Sequence, residues 1–200
     1  MKILSHKLAM AVMAVFPLLA TGADKVFTGE VDGKWSTPGN WQGGEVPVNG
    51  DSVTLASTVR TTINNDIEGL TLANFTFSGY GNKGAGGNNN EAWIQGKPIK
   101  IAAGGAIAIT SNVRLNQQMT IELLEGAHTL AVSTVSGSRW DCQNTGFTGA
   151  GSLTLTTGLL VIYAGSSYTG GFTAKSGTDV YLFHNNGFGA GAATFENNAV

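Results

Sequence analysis

Apolar and polar residues alternate along most of this chain, in runs only a few residues long. Val53-Thr54-Leu55, Leu70-Thr71-Leu72, Phe75-Thr76-Phe77 and Ile99-Lys100-Ile101 show the pattern. Ile107-Ala108-Ile109, Ile121-Glu122-Leu123, Leu130-Ala131-Val132, Leu153-Thr154-Leu155 and Val180-Tyr181-Leu182 continue it. Period two with β-branched residues predicts strands with one buried face. From Val46 onward no stretch places apolar residues at i, i+3, i+4 and i+7 over three turns, so no helix is expected there. Gly, Asn and Ser separate the runs, the residues that turns with positive φ call for.

The strands are also evenly spaced. Ile107, Leu130 and Leu153 each open an x-alternating pair at 23-residue steps, and Ile99 and Ile121 stand 22 apart. Gly105, Gly126 and Gly151 lie just ahead of the first series, and Gly177 before Val180-x-Leu182 reads as a looser fourth member. A period in the low twenties is that of a solenoid whose coils each hold three short strands and three turns. The expected class is therefore all-β, a right-handed parallel β-helix. Seven or eight coils, about 35 Å in length, are expected from the strand spacing. The alternative is a β-sandwich, whose turns also recur every 8–12 residues. Residues 24–50, richer in tryptophan and proline, are expected to cap the first coil of a helical region 51–200. Residues 79–90 (GYGNKGAGGNNN) read as a loop extruded from one coil.

Composition narrows the classes. Glycine contributes 29 of 200 residues and charged residues only 12%, about twice and about half the usual shares. A net charge of -2 offers no basic surface for nucleic acid. Lys2 and Lys7 precede the apolar run Leu8 to Ala20, and small residues follow in Ala20-Thr21-Gly22-Ala23. That order reads as a secretory leader over 1–23, cut after Ala23 or a residue or two earlier. Export to an extracellular or cell-surface location follows, and no later segment reads as a membrane span. Cys142 is the single cysteine, so no internal disulfide can form. It reads as a packed residue rather than a nucleophile, since nothing places His128 or His184 beside it.

Two stretches resemble a known family. Trp35-Ser36-Thr37-Pro38-Gly39-Asn40-Trp41, running on through Val46-Pro47 and Gly50-Asp51, looks like the start of many bacterial surface β-helix proteins. Gly149-Ala150-Gly151-Ser152-Leu153-Thr154-Leu155, with Tyr168-Thr169-Gly170-Gly171-Phe172-Thr173, resembles the autotransporter-associated β-strand repeat, also called the passenger-associated transport repeat. Phe172 stands where that family usually has threonine, and the link from Leu155 to Tyr168 is longer than its usual repeat. The resemblance implies an outer-membrane or secreted passenger with an adhesin-like role. Val200 falls in what reads as mid-repeat, so an N-terminal fragment of a longer surface protein is expected, with an uncapped last coil open to self-association.

No catalytic constellation emerges. The closest acid pairs are Asp66/Glu68 in a turn and Glu122/Glu125 on an outward face. No H-E-x-x-H, G-x-S-x-G or P-loop occurs, and neither metal nor cofactor is expected. The leading expectation is a non-enzymatic exported β-helix with a structural or adhesive role. A lyase- or hydrolase-like β-helix with its acidic site beyond residue 200 is the second, and a glycan-binding module the third. Trp35 and Trp41 are expected to plug the helix end. Of the remaining aromatics (Trp93, Tyr163 and Tyr181 among them), Trp140 and Tyr168 are the candidate contacts for extracellular glycans or a host or neighbouring cell surface. Trp140 is singled out because Arg139 and Asp141 flank it. The Asn pairs read as turns, with stacked ladders as the alternative.

Overall fold

The computed structural model describes residues 22–79, 82–83 and 90–199, so residues 1–21 of the leader and most of the glycine-asparagine loop lie outside it. The described residues are 44% strand and 4% helix, wound as a β-solenoid of about six turns, consistent with a right-handed β-helix. Three sheets run along it. The first is built from Asp24–Phe27, Ser52–Leu55, Phe75–Phe77, Ala106–Ile109, Ala127–Val132, Ser152–Thr157, Phe172–Ala174 and Ala193–Phe195. The second takes Thr62–Asn65, Asn90–Gly96, Arg114–Gln117, Arg139–Cys142, Leu159–Ile162 and Asp179–Leu182. The third takes Leu70–Leu72, Ile99–Ile101, Ile121–Leu123 and Phe147–Gly149. Every pairing between coils is parallel, whereas a sandwich would be antiparallel. The alternative fold is thereby set aside.

One coil illustrates the construction. Ile107 stacks on Leu130, Leu115 on Trp140 and Ile121 on Phe147, one pair in each sheet. All six side chains are buried. The intervening residues point out, which is why alternation identified the strands. Glycines set the corners. A Cβ on Gly105 would run into the Ala73 carbonyl of the coil below, and one on Gly151 into that of Leu124. These positions need close approach rather than unusual φ. Gly158 differs: at φ +77° it turns the chain from Ser152–Thr157 into Leu159–Ile162 with a single residue.

Three expectations are corrected by the register. Leu153 stacks on His128, and Leu130 on Leu155, so the 23-residue step slips by two at that coil. The turn from Ser133 to Ser138 takes up the extra length, and His128 becomes an interior residue. Val180-x-Leu182 belongs to the second sheet, on Leu160 and Ile162, and does not extend the series of the first. The coil count is about six rather than seven or eight. The stacked pair Phe75 and Ile107 is separated by 32 residues because the glycine-asparagine segment lies between them.

Residues 24–50 add one strand to the first sheet, paired Asp24 to Ser52, and a bridge from Lys34 to Asn64 in the second. Trp35 and Trp41 are both buried there. Trp41 Nε1 donates to the Trp35 carbonyl at 2.7 Å, and its ring meets Phe27 edge-on at 5.1 Å. Trp35 lies 6.3 Å from Phe75, which leads on to Trp140 at 6.4 Å and Phe147 at 6.3 Å, an aromatic line through the interior. Asn65 is buried and joins neighbouring coils: its Nδ2 donates to the Lys97 carbonyl at 2.8 Å, and its Oδ1 accepts from Ile67 N–H at 3.1 Å. It serves as a turn residue and a rung at once.

The stacking makes inward and outward neighbours unequal. Leu155→Ala should cost about 2–5 kcal/mol by opening a cavity in the stack, while Thr154→Ala should stay within about 0.5 kcal/mol. Urea unfolding of the two variants checks this, and equal losses would contradict the assigned faces.

Candidate functional site

The outward face of the second sheet holds a linked network of three ion pairs, the other ion pairs among the described residues being isolated. Strand Arg139–Cys142 presents Arg139 and Asp141 outward and sends Trp140 and Cys142 into the core. Register places Glu91, Arg114 and Arg139 in one row across the coils, and Trp93, Asn116, Asp141, Val161 and Tyr181 in the next. Arg114 is the hub. Its Nε donates to Asp141 Oδ2 at 2.6 Å and its Nη1 to Glu91 Oε1 at 2.8 Å. Burial works to lower the Arg114 pKa, but the Asp141 hydrogen bond and charge, with those of Glu91, outweigh it and raise it. Arg139 Nε lies 3.0 Å from Asp141 Oδ1, an ion contact without hydrogen-bond alignment. Gln143 Nε2 bridges to Asn116 Oδ1 at 3.0 Å. Asp141 is 0% exposed although its backbone faces outward, because these side chains fold over it.

Two shallow grooves border the cluster. One, of about 230 Å³, is lined by Arg114, Gly137, Ser138, Arg139 and Leu159. The other, of about 270 Å³, runs beside the turn Ser133 to Ser138 and reaches Asp179. Beyond them the face becomes aromatic. Tyr163 stacks on Phe183 at 4.9 Å with planes 9° apart, and Tyr181 and Phe183 are 50% and 65% exposed. Tyr181 continues the row of Asp141, so charged and aromatic ends of the face share one register.

Both candidate contacts from the sequence are displaced from the surface. Trp140 is 0% exposed and Tyr168 1%. Trp140 Nε1 donates to buried Gln117 Oε1 at 2.7 Å. The flanking charges made Trp140 look exposed, yet alternation sends those charges out and the indole in. Its register with Leu115 and Leu160 carried the correct signal. Arg114, Glu91, Asn116 and Gln143 were missed because they converge only through stacking. Trp93, on the outward row, and Tyr163, just past the strand Leu159–Ile162, are half-buried.

The remaining chemistry-bearing residues are committed elsewhere. Glu122 pairs with Lys100 at 3.2 Å and Glu68 with Lys97 at 3.0 Å. Asp66 accepts from Ser36 N–H at 2.8 Å and Ser36 Oγ at 2.6 Å. Cys142 is buried, and desolvation, aided by the Asp141 charge, pushes its thiol pKa up. His128 donates from Nε2 to the Leu124 carbonyl at 2.7 Å inside the stack. Among the described residues no three His, Cys, Asp or Glu side chains gather as metal ligands, and no helix is long and apolar enough to cross a membrane.

No family model matches the sequence, and neither the curated proteins nor the solved structures give a match.

The Arg114–Asp141 contact is partly enclosed, and removing one charge strands the other. Asp141→Ala should lower stability by about 3 kcal/mol, read as a shift in the denaturant midpoint. An unchanged midpoint would contradict the closed cluster.

Proposed function

We propose that this chain is an exported, non-enzymatic β-helix of the cell surface, with an adhesive role exercised through the outward face of its second sheet. The observation that carries the reading is the contrast across that face. The carboxylates of Glu91 and Asp141 are neutralised by Arg114 and Arg139, while Tyr181, Phe183 and the half-buried Tyr163 and Trp93 stay within reach of a partner. A carboxylate held this way is poorly placed to shuttle a proton. Exposed aromatic rings on a rigid sheet are suited to stacking on the C–H faces of sugars or on apolar side chains. The shallow grooves fit an extended polymer lying across the coils better than a small enclosed substrate.

The leader-like start, the low charge and the resemblance of Gly149 to Thr173 to the autotransporter-associated repeat support the same reading. On it the partners are extracellular glycans or the surface of a host or neighbouring cell. The rod serves to hold the face away from the membrane.

A glycan array and a cell-surface adhesion assay on the exported protein test this. Binding is expected, with a loss of at least about tenfold on combining Tyr181→Ala and Phe183→Ala, at an unchanged melting temperature. No binding in either assay, or binding that the double variant leaves intact, would contradict the assigned face.

A further inference from the structure

We infer that the leader is cut between Gly22 and Ala23, and that the new α-ammonium of Ala23 is a structural group held by Asp51. The inference rests on the export reading above.

Asp51 sits where the chain enters its first full coil and is 3% exposed. Its Oδ1 accepts from Ala23 N–H at 2.7 Å and its Oδ2 from Val48 N–H at 2.9 Å. Its own carbonyl accepts from Ala73 N–H of the next coil at 2.9 Å. The Ala23 carbonyl accepts from Ser52 N–H at 2.9 Å. Ala23 is thus the first rung of the first sheet, one residue ahead of the Asp24 to Ser52 pairing. Lys25 does not compete for Asp51, because Glu45 holds its Nζ at 2.7 Å.

The three readable cuts have different consequences. A cut after Ala23 removes both the donor to Asp51 Oδ1 and the acceptor for Ser52, leaving a buried carboxylate oxygen unpartnered. A cut after Thr21 keeps a neutral amide on Asp51. A cut after Gly22 keeps the Ala23 carbonyl and replaces that amide with an ammonium at the same nitrogen, converting the bond into a charge-assisted pair. The sequence permits this cut, since Ala20 and Gly22 are the small residues three before and one before the bond. Chemically it is hydrolysis by a leader peptidase. Water adds across the Gly22–Ala23 amide, the leader leaves with a Gly22 carboxylate, and the Ala23 nitrogen takes up protons to become the ammonium.

The full chain, expressed with its own leader in an exporting bacterium, is recovered from the exported fraction and read by intact mass and N-terminal sequencing. The expected start is Ala23-Asp24-Lys25. A start at Gly22 or Asp24 overturns this inference and leaves the export reading standing. A chain that keeps its first residues, or stays in the cytoplasm, overturns the export reading itself. A second arm compares processed chains that begin at Ala23 and at Asp24, each released from a fusion. The Ala23 chain should melt higher by about 4 °C, and Asp51→Asn should remove most of that difference. Equal melting temperatures would overturn the role given to the ammonium.

Discussion

The structure depends on parallel, in-register stacking of one coil on the next. A single coil of three short strands cannot satisfy its backbone or bury its apolar side chains alone. Each interior strand both donates to and accepts from the strand on either side, and each inward residue lands on an inward residue of the adjoining coil. The rest follows from that constraint. Glycines sit where a corner passes close to the carbonyl below. Apolar residues form columns such as Phe75, Ile107 and Leu130. Most polar residues of the strands, His128, Gln117 and Asn65 excepted, are sorted to the outside, where the same stacking aligns them into rows. The Arg114 cluster is a product of this alignment. Glu91, Arg114 and Asp141 come from three successive coils and are close only because the coils share a register.

Stacking also creates ends, and the two ends of the described chain are treated differently. At the first coil, Phe27, Trp35 and Trp41 interlock edge-to-face and cover the interior, and Asp51 binds the entering backbone. At the last coils, the strands Asp179–Leu182 and Ala193–Phe195 are the outermost members of their sheets among the described residues. Leu182 and Phe195 are exposed there although the register gives them inward positions. The outward aromatics Tyr181 and Phe183 lie on or directly after the last described strand of the second sheet.

Much of this was legible in the sequence. Alternation identified the strands and their inward residues, and the 22-residue step from Ile99 to Ile121 is a true stacking distance. The glycines before the strands pointed to close coil contact. What was not legible depends on lengths that alternation does not report. Turns absorb different numbers of residues, so a period extrapolated from Ile107 and Leu130 misplaced Leu153 by two and moved Val180 into the wrong sheet. The site suffered more. Trp140 was judged by its charged neighbours in sequence, whereas its environment is set by Leu115 and Leu160 one coil away. The burial of Asp141 could not be read at all, because it requires Arg114, Arg139 and Gln143 to close over it from different strands.

The register between successive coils is therefore the central claim, since it decides which residues reach the outward face. It can be measured by trapping cysteine pairs in a Cys142→Ala background. Thr129 and Thr154 are stacked partners, at a separation of about 4.8 Å that a disulfide can span. The Thr129→Cys/Thr154→Cys chain should cross-link rapidly under mild oxidation, and the Ala131→Cys/Thr154→Cys chain, which matches an unslipped 23-residue step, should not. Faster closure of the second pair would contradict the register and the face built on it.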